Sequence, residues 1–262
     1  KIENTDLNIN MDGTESSIVV ESDLNPEIKR PHNFLMFNRR MRSHRIVLTS
    51  LFGLDFINEN LISFDYNHAH DPPDEDFFIY RVLDKYVDRC IFNMKEIIEK
   101  KPISFIDFKN VYDTIGFGCE VKDPYLNSYI HITSETNFNE AGVYFSEKTW
   151  KPILNLQPFI MLNYQNSLKY LKDLGFKTFH PFINEDYDKI EDSRERISFI
   201  YEEIMRINSF PKEVIHQWYY EIKDILIYNK NHALKHIGDY MLNIEKNYLN
   251  SIIDYVESDK NN

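Results

Sequence analysis

Short apolar runs alternate with helically spaced segments through most of this chain, and that alternation restricts the fold more than any other feature. Phe34-Leu-Met-Phe37, Leu61-Ile-Ser-Phe64, Tyr129-Ile-His-Ile-Thr133 and residues 158–162 each fit a short buried strand. A polar loop and then a helical pattern follow each of them. After the first run come Ile46, Val47, Leu48, Leu51, Phe52, Leu54 and Phe56, spaced to make one apolar helix face. After the second, residues 76–100 read as one long helix, with Phe78, Val82, Tyr86, Ile91 and Ile97 among its apolar positions and Lys101-Pro102 as its stop. Helices are also expected over 147–156 and over 166–174, the latter closed by Gly175. Lys177-Thr-Phe179 reads as a further short strand, and residues 103–122 fit no single pattern. The remainder is helical, at about 191–207, 211–227 and 232–256. The fold class is therefore α/β, a Rossmann-like parallel sheet flanked by helices with a helical C-terminal segment.

The expected organisation is an acidic tail or remnant over 1–30, a sheet domain over 31–207, and a helical segment over 208–262 packing on it. A length of 262 residues with 42% hydrophobic and 15% aromatic content is enough for one large core. The net charge of −12 argues against general nucleic-acid binding. Two cysteines, Cys90 and Cys119, give neither a disulfide framework nor metal spacing, and no apolar run reaches membrane-spanning length. A cytoplasmic protein without a membrane span is expected.

In parallel sheets of this kind, ligands bind beyond the C-terminal ends of the strands, where loops lead into helices. Two charged segments fall at such transitions. The first is the loop with Arg39, Arg40, Arg42 and Arg45, a basic cluster in an acidic chain, suited to bidentate contact with a diphosphate. It also suits a surface loop paired with nearby acids. His44 and Arg45 fall in the first turn of the following helix, where a cation opposes the dipole and a counter-anion is expected, from a phosphate or from Glu147. The second is Phe145-Ser-Glu-Lys-Thr-Trp, with Ser146 as N-cap of a helix whose amides and Lys148 can meet phosphate charge. Glu147 can accept hydrogen bonds from ribose hydroxyls, although Glu147-Lys148 also suits an exposed helix surface.

Glu135, at the end of its strand, could accept a sugar hydroxyl, orient Lys148 or cap the turn. His131, inside the strand, reads as a packing histidine. Asp186, Tyr187 and Asp188 could line the same cleft or form a turn and cap, and Glu195 and Arg196 read as a solvated helix face. No glycine-rich nucleotide loop, zinc-protease helix or nucleophile elbow occurs. A phosphate site here is expected to use arginine, lysine and helix termini, with no cofactor and no metal.

The run Phe145-Ser-Glu-Lys-Thr-Trp-Lys-Pro-Ile153 followed by Gln157-Pro-Phe-Ile160 resembles the donor-binding segment of fucosyltransferase-like enzymes of the GT-B architecture. With the arginine loop upstream and Leu174-Gly-Phe-Lys-Thr-Phe179 downstream, it is similar to glycosyltransferase-like proteins of phages, large viruses and bacteria. The likeness covers about residues 33–207. It implies a metal-independent transfer of a sugar from a nucleotide-diphosphate donor to an acceptor hydroxyl on a glycan, a protein or a modified nucleobase. Glu147 would bind ribose, Lys148 the diphosphate, and an arginine of 39–45 the phosphates; Glu135 and Asp186 are the candidate bases. A full GT-B enzyme has two such domains, and this chain holds little more than the donor half. A non-catalytic nucleotide-sugar-binding module is the alternative, and residues 211–256 could instead offer a partner face.

Overall fold

The computed structural model describes residues 18–38, 42–64, 73–100, 122–139 and 142–236. It is an α/β structure built on a four-stranded parallel sheet. The strands are β1 (His32–Asn38), β2 (Leu61–Phe64), β3 (Ser128–Ser134) and β4 (Phe159–Leu162), in the order β2-β1-β3-β4. The chain leaves β1 to one side for β2, then returns to the other side for β3. The topological switch point therefore lies between the C-terminal ends of β1 and β3.

Those two strands part where the switch occurs. Pairing of β1 with β3 stops at Leu35↔His131. On the outer sides, β1 pairs with β2 as far as Asn38↔Phe64, and β3 with β4 as far as Ser134↔Leu162.

Helices cover both faces, and the strands are accordingly buried along most of their length, β3 and β4 at every position. Helix α1 (Ser43–Glu59) lies on the face of Phe34, whose ring meets Phe56 at 5.6 Å. The expected long helix over 76–100 is instead broken. It divides into α2 (Glu75–Ile79), a 3-10 turn at Asp84–Tyr86 and α3 (Val87–Glu99). The break lets Lys85 and Tyr86 both reach Glu202, at 2.8 and 2.6 Å, while α3 turns Val87, Cys90, Met94 and Ile97 inward. Tertiary contacts thus override the continuous helical spacing.

The opposite face carries α4 (Asp123–Leu126), α5 (Glu147–Leu154) and α8 (Lys212–Glu221), as the packing of Tyr125 on His131 and of Tyr129 on Tyr219 records. His131 is a core residue, 3% exposed. Helix α6 (Ser167–Asp173) follows β4, and α7 (Ser193–Asn208) packs Tyr201 against Phe52 of α1. Helical chain continues beyond α8 over 223–236.

Lys177-Thr-Phe179 forms no strand. Its backbone pairs with a side chain instead, Lys177 N–H donating to Asn229 Oδ1 and Asn229 Nδ2 donating back to the Lys177 carbonyl, at 2.9 and 2.8 Å. From residue 18 onward, the stretch expected as a tail is also docked. Val19 is 1% exposed, and its N–H donates to Asn155. Among the described residues no helix is long and apolar enough to cross a membrane.

Gly175 does end α6. It has φ 93°, with Gly175 N–H donating to Lys172 and Phe176 N–H to Leu171, the double bond of a Schellman cap. A Cβ there would lie 2.9 Å from the His232 ring as well as in a left-handed conformation. Gly175→Ala is expected to lower unfolding free energy by about 1–2 kcal/mol in urea titrations.

Candidate functional site

Glu135, the first residue past β3, is the point where the C-terminal edge is tied together. It is 0% exposed. Its carboxylate accepts from Ser146 N–H at 3.0 Å, Ser146 Oγ at 2.5 Å, Thr149 N–H at 3.2 Å and Thr149 Oγ1 at 2.6 Å. Its backbone carbonyl accepts from His44 Nε2 at 2.9 Å and Arg45 at 3.4 Å. One residue therefore fixes the start of α1 to the start of α5. The edge predicted from sequence does bring Arg45, Glu135 and Ser146 together.

Of the three roles open to Glu135, its contacts match the cap. Glu135 is enclosed as the anion of the α5 N-terminus and has no face open to an acceptor hydroxyl. It takes the amides that were expected to meet a diphosphate, while Ser146 Oγ takes the Lys148 N–H at 3.3 Å. Lys148 Nζ is held by Glu147 at 2.6 Å and Ser146 Oγ at 3.2 Å. Burial opposes ionisation of Glu147, but the Lys148 ammonium prevails and holds its carboxyl below the ordinary range. Arg45 is 3% exposed, with Nε on Ser134 Oγ and a terminal nitrogen on the Ser134 carbonyl at 2.9 Å. The carbonyl end of β3 is among the groups that meet it, and Glu147 is committed to Lys148. Arg39 and Arg40 lie outside the described residues.

Asp186 stands apart from this assembly. Its side chain is 62% exposed, and it pairs with Lys189 on a 3-10 turn at Asp186–Lys189. The Asp186-Tyr187-Asp188 run has the spacing of a metal-diphosphate motif, yet its two carboxylates have separate tasks. Asp188 accepts from Leu168 and Lys169 N–H at 2.8 and 2.9 Å, capping α6. No cluster of three metal-ligating side chains occurs among the described residues.

Of the helices that follow β1, β3 and β4, α5 and α6 thus have N-termini closed by the protein's own carboxylates. Helix α1 does not: its N-cap is Arg42, with no side-chain hydrogen bond. In front of it lies a cleft of about 150 Å³ lined by Arg42, Ser43, His44, Thr136, Phe138 and Asn139. Among the described residues, no carboxylate lines this cleft. Of the side-chain polar groups around it, only His44 Nε2 has a protein partner among the described residues.

Behind the lining stand two buried guanidinium groups. Arg45 backs His44, and Arg196 lies 4.5 Å over the Phe138 ring, whose other neighbour is the stacked His44 at 5.2 Å. Arg196 is 2% exposed, so it is no part of a solvated helix face. It donates to the carbonyls of Ile190, Glu191 and Phe138, with no ion pair among the described residues. Burial, and then the Arg45 charge, push the His44 pKa down to about 3, so its ring is neutral at neutral pH.

Asn38 completes the edge. It ends β1 at 1% exposure, and neither side-chain amide atom has a hydrogen-bond partner. A buried, unpaired amide at the end of a central strand costs stability unless something else meets it. Sequence reasoning passed over Asn38 and Phe138, and it put Arg196 on the wrong face. For Arg196 a signal existed, since it stands four residues before Ile200 and eight before Ile204 on one helix stripe. No protein-family model, curated protein or solved structure matches the chain.

Proposed function

We propose that this chain binds a nucleotide-diphosphate sugar across the β1/β3 switch point and is the donor-binding part of a metal-independent glycosyltransferase. The observation that carries the reading is the α1 cleft. It is an uncapped helix N-terminus with no lining carboxylate among the described residues, fronted by Arg42 and backed by two buried arginines in a chain of net charge −12. Such a place favours phosphate through amide dipoles and guanidinium charge together. In this reading the phosphates sit at Arg42 and the α1 amides, replacing the α5 amides of the sequence expectation. The Glu147–Lys148 pair at the start of α5 lies on the same edge and offers a hydroxyl acceptor to ribose or sugar. The same donors would stabilise the leaving diphosphate during transfer.

The test is a thermal-shift panel of UDP, GDP and nucleotide sugars, followed by an assay for nucleotide diphosphate release. Saturation at about 100 times Kd is expected to add about 2.7 kcal/mol, or roughly 5–10 °C in Tm. Arg42→Ala should weaken binding by about 10- to 100-fold, the worth of a charge-assisted contact. Binding without release, with glycan or protein acceptors supplied, would favour a non-catalytic module. No shift with any nucleotide would sink the proposal.

A further inference from the structure

The α1 cleft has a feature that a bare anion site lacks, an obligate hydrogen-bond acceptor. His44 is 8% exposed and lines the cleft. Its Nε2 faces the Glu135 carbonyl at 2.9 Å, and a carbonyl only accepts, so Nε2 carries the hydrogen. In a neutral ring that leaves Nδ1 with a lone pair, and Nδ1 has no protein partner among the described residues. Turning the ring over would break the Glu135 contact. Phe138 stacks on it at 5.2 Å and 25°, and the Arg196 guanidinium lies 4.5 Å from the Phe138 ring. The other polar lining groups are donors, as the guanidinium of Arg42 and the first amides of α1 are, or can act as donors, as Ser43, Thr136 and Asn139 can.

We infer that this cleft selects anions that carry a hydroxyl hydrogen beside their charge, a hydrogen-phosphate or phosphomonoester group or a phosphate with an adjacent sugar hydroxyl, because His44 Nδ1 must receive a hydrogen bond. A fully ionised anion would point an oxygen lone pair at the Nδ1 lone pair and gain nothing there. The inference rests on reading the cleft as an anion site and adds which anions it accepts. His44 acts here as a specificity-determining group.

Inorganic phosphate and sulfate are the probes, since they match in size and shape, and only phosphate keeps a hydroxyl hydrogen near neutral pH. Titration calorimetry at constant ionic strength should give phosphate about a tenfold advantage over sulfate, the size of one hydrogen bond. His44→Gln keeps a donor toward the Glu135 carbonyl but removes the acceptor at the δ position, and should erase the advantage. His44→Asn keeps an acceptor at that position and should retain it. Equal binding of phosphate and sulfate to the wild-type protein overturns the inference without needing any variant to fold, as does an advantage that survives in His44→Gln. UDP and GDP run alongside keep the two readings separate. Phosphate preference without nucleotide binding upholds the inference and removes the nucleotide-sugar proposal. Nucleotide binding with equal phosphate and sulfate does the reverse.

Discussion

Glu135→Ala is expected to destabilise the fold by about 3–5 kcal/mol, the usual cost of removing one partner from a buried charged network. The reason is local and countable. Two backbone N–H groups and two hydroxyls at the start of α5 converge on one carboxylate that water does not reach. Deleting it leaves the Ser146 amide without an acceptor, at about 1–3 kcal/mol, leaves the Thr149 amide only the Ser146 carbonyl, and strips α5 of the anion at its positive end. In Glu135→Gln, one amide oxygen can keep the Ser146 and Thr149 amides and the Thr149 hydroxyl, while the amide nitrogen donates to a rotated Ser146 hydroxyl. That variant should lose only about 1–2 kcal/mol, the difference between a charged and a neutral acceptor. Urea and thermal denaturation give both numbers, and the Ala variant should melt roughly 10 °C or more below wild type. If Ala and Gln cost the same, the carboxylate is not the tie that its geometry describes. The same comparison bears on function: a base that met acceptor would show in turnover of the Gln variant, whereas a buried anchor shows in stability first.

The fold was legible because its signals are local. Apolar runs such as Phe34–Phe37 and Phe159–Leu162 and the helical spacing after them survive any tertiary context, and a parallel sheet follows from their alternation. What failed locally failed for tertiary reasons. The helix over 76–100 breaks so that Lys85 and Tyr86 meet Glu202 of α7, and the 177–179 strand is lost to Asn229, each more than fifty positions away in sequence.

The site was half legible. The arginine loop and the Ser146-Glu147-Lys148 step do mark the two helix starts at one sheet edge. Which of those starts is open to a ligand was not readable, because it depends on where Glu135 and Asp188 point. Glu135 fills α5 from the end of the strand that precedes it, and Asp188 fills α6 from twenty residues downstream. A helix N-terminus in a sequence is only a potential anion site. Its own protein is the first competitor for it, and at α1 no such carboxylate stands among the described residues.

Lowering pH from 7 to 5 is expected to cost the fold about 4 kcal/mol, about 2 from each of two buried histidines. Burial, and for His44 then the Arg45 and Arg42 charges, hold its pKa at about 3. Burial and the Lys151 charge do the same for His131. The Glu135 carbonyl is the one group facing His44 that favours the proton, and Tyr125, Phe37 and Thr133 around His131 carry no charge at this pH. The sign follows from which state binds protons. Above 6.5 both states leave the rings neutral and nothing is lost. Below 6.5 the unfolded chain takes up a proton that the folded protein refuses, and stability falls by about 1.4 kcal/mol per pH unit per histidine until pH about 3. Stopping at pH 5 leaves out Glu147, Asp186, Asp192, Glu202 and Glu213, whose lowered values remove stability only at lower pH. Burial raises Asp188, which gains stability as pH falls and can only offset the loss. His131→Phe keeps an aromatic ring between Phe37 and Tyr125 and removes the unpaired Nε2. It should halve the loss to about 2 kcal/mol while leaving stability at pH 7 within about 1 kcal/mol of wild type. Urea midpoints measured at half-unit steps decide it. A flat wild-type profile across this window would mean that neither ring is held as neutral as its burial requires, and a His131→Phe profile superimposable on wild type would mean it of His131.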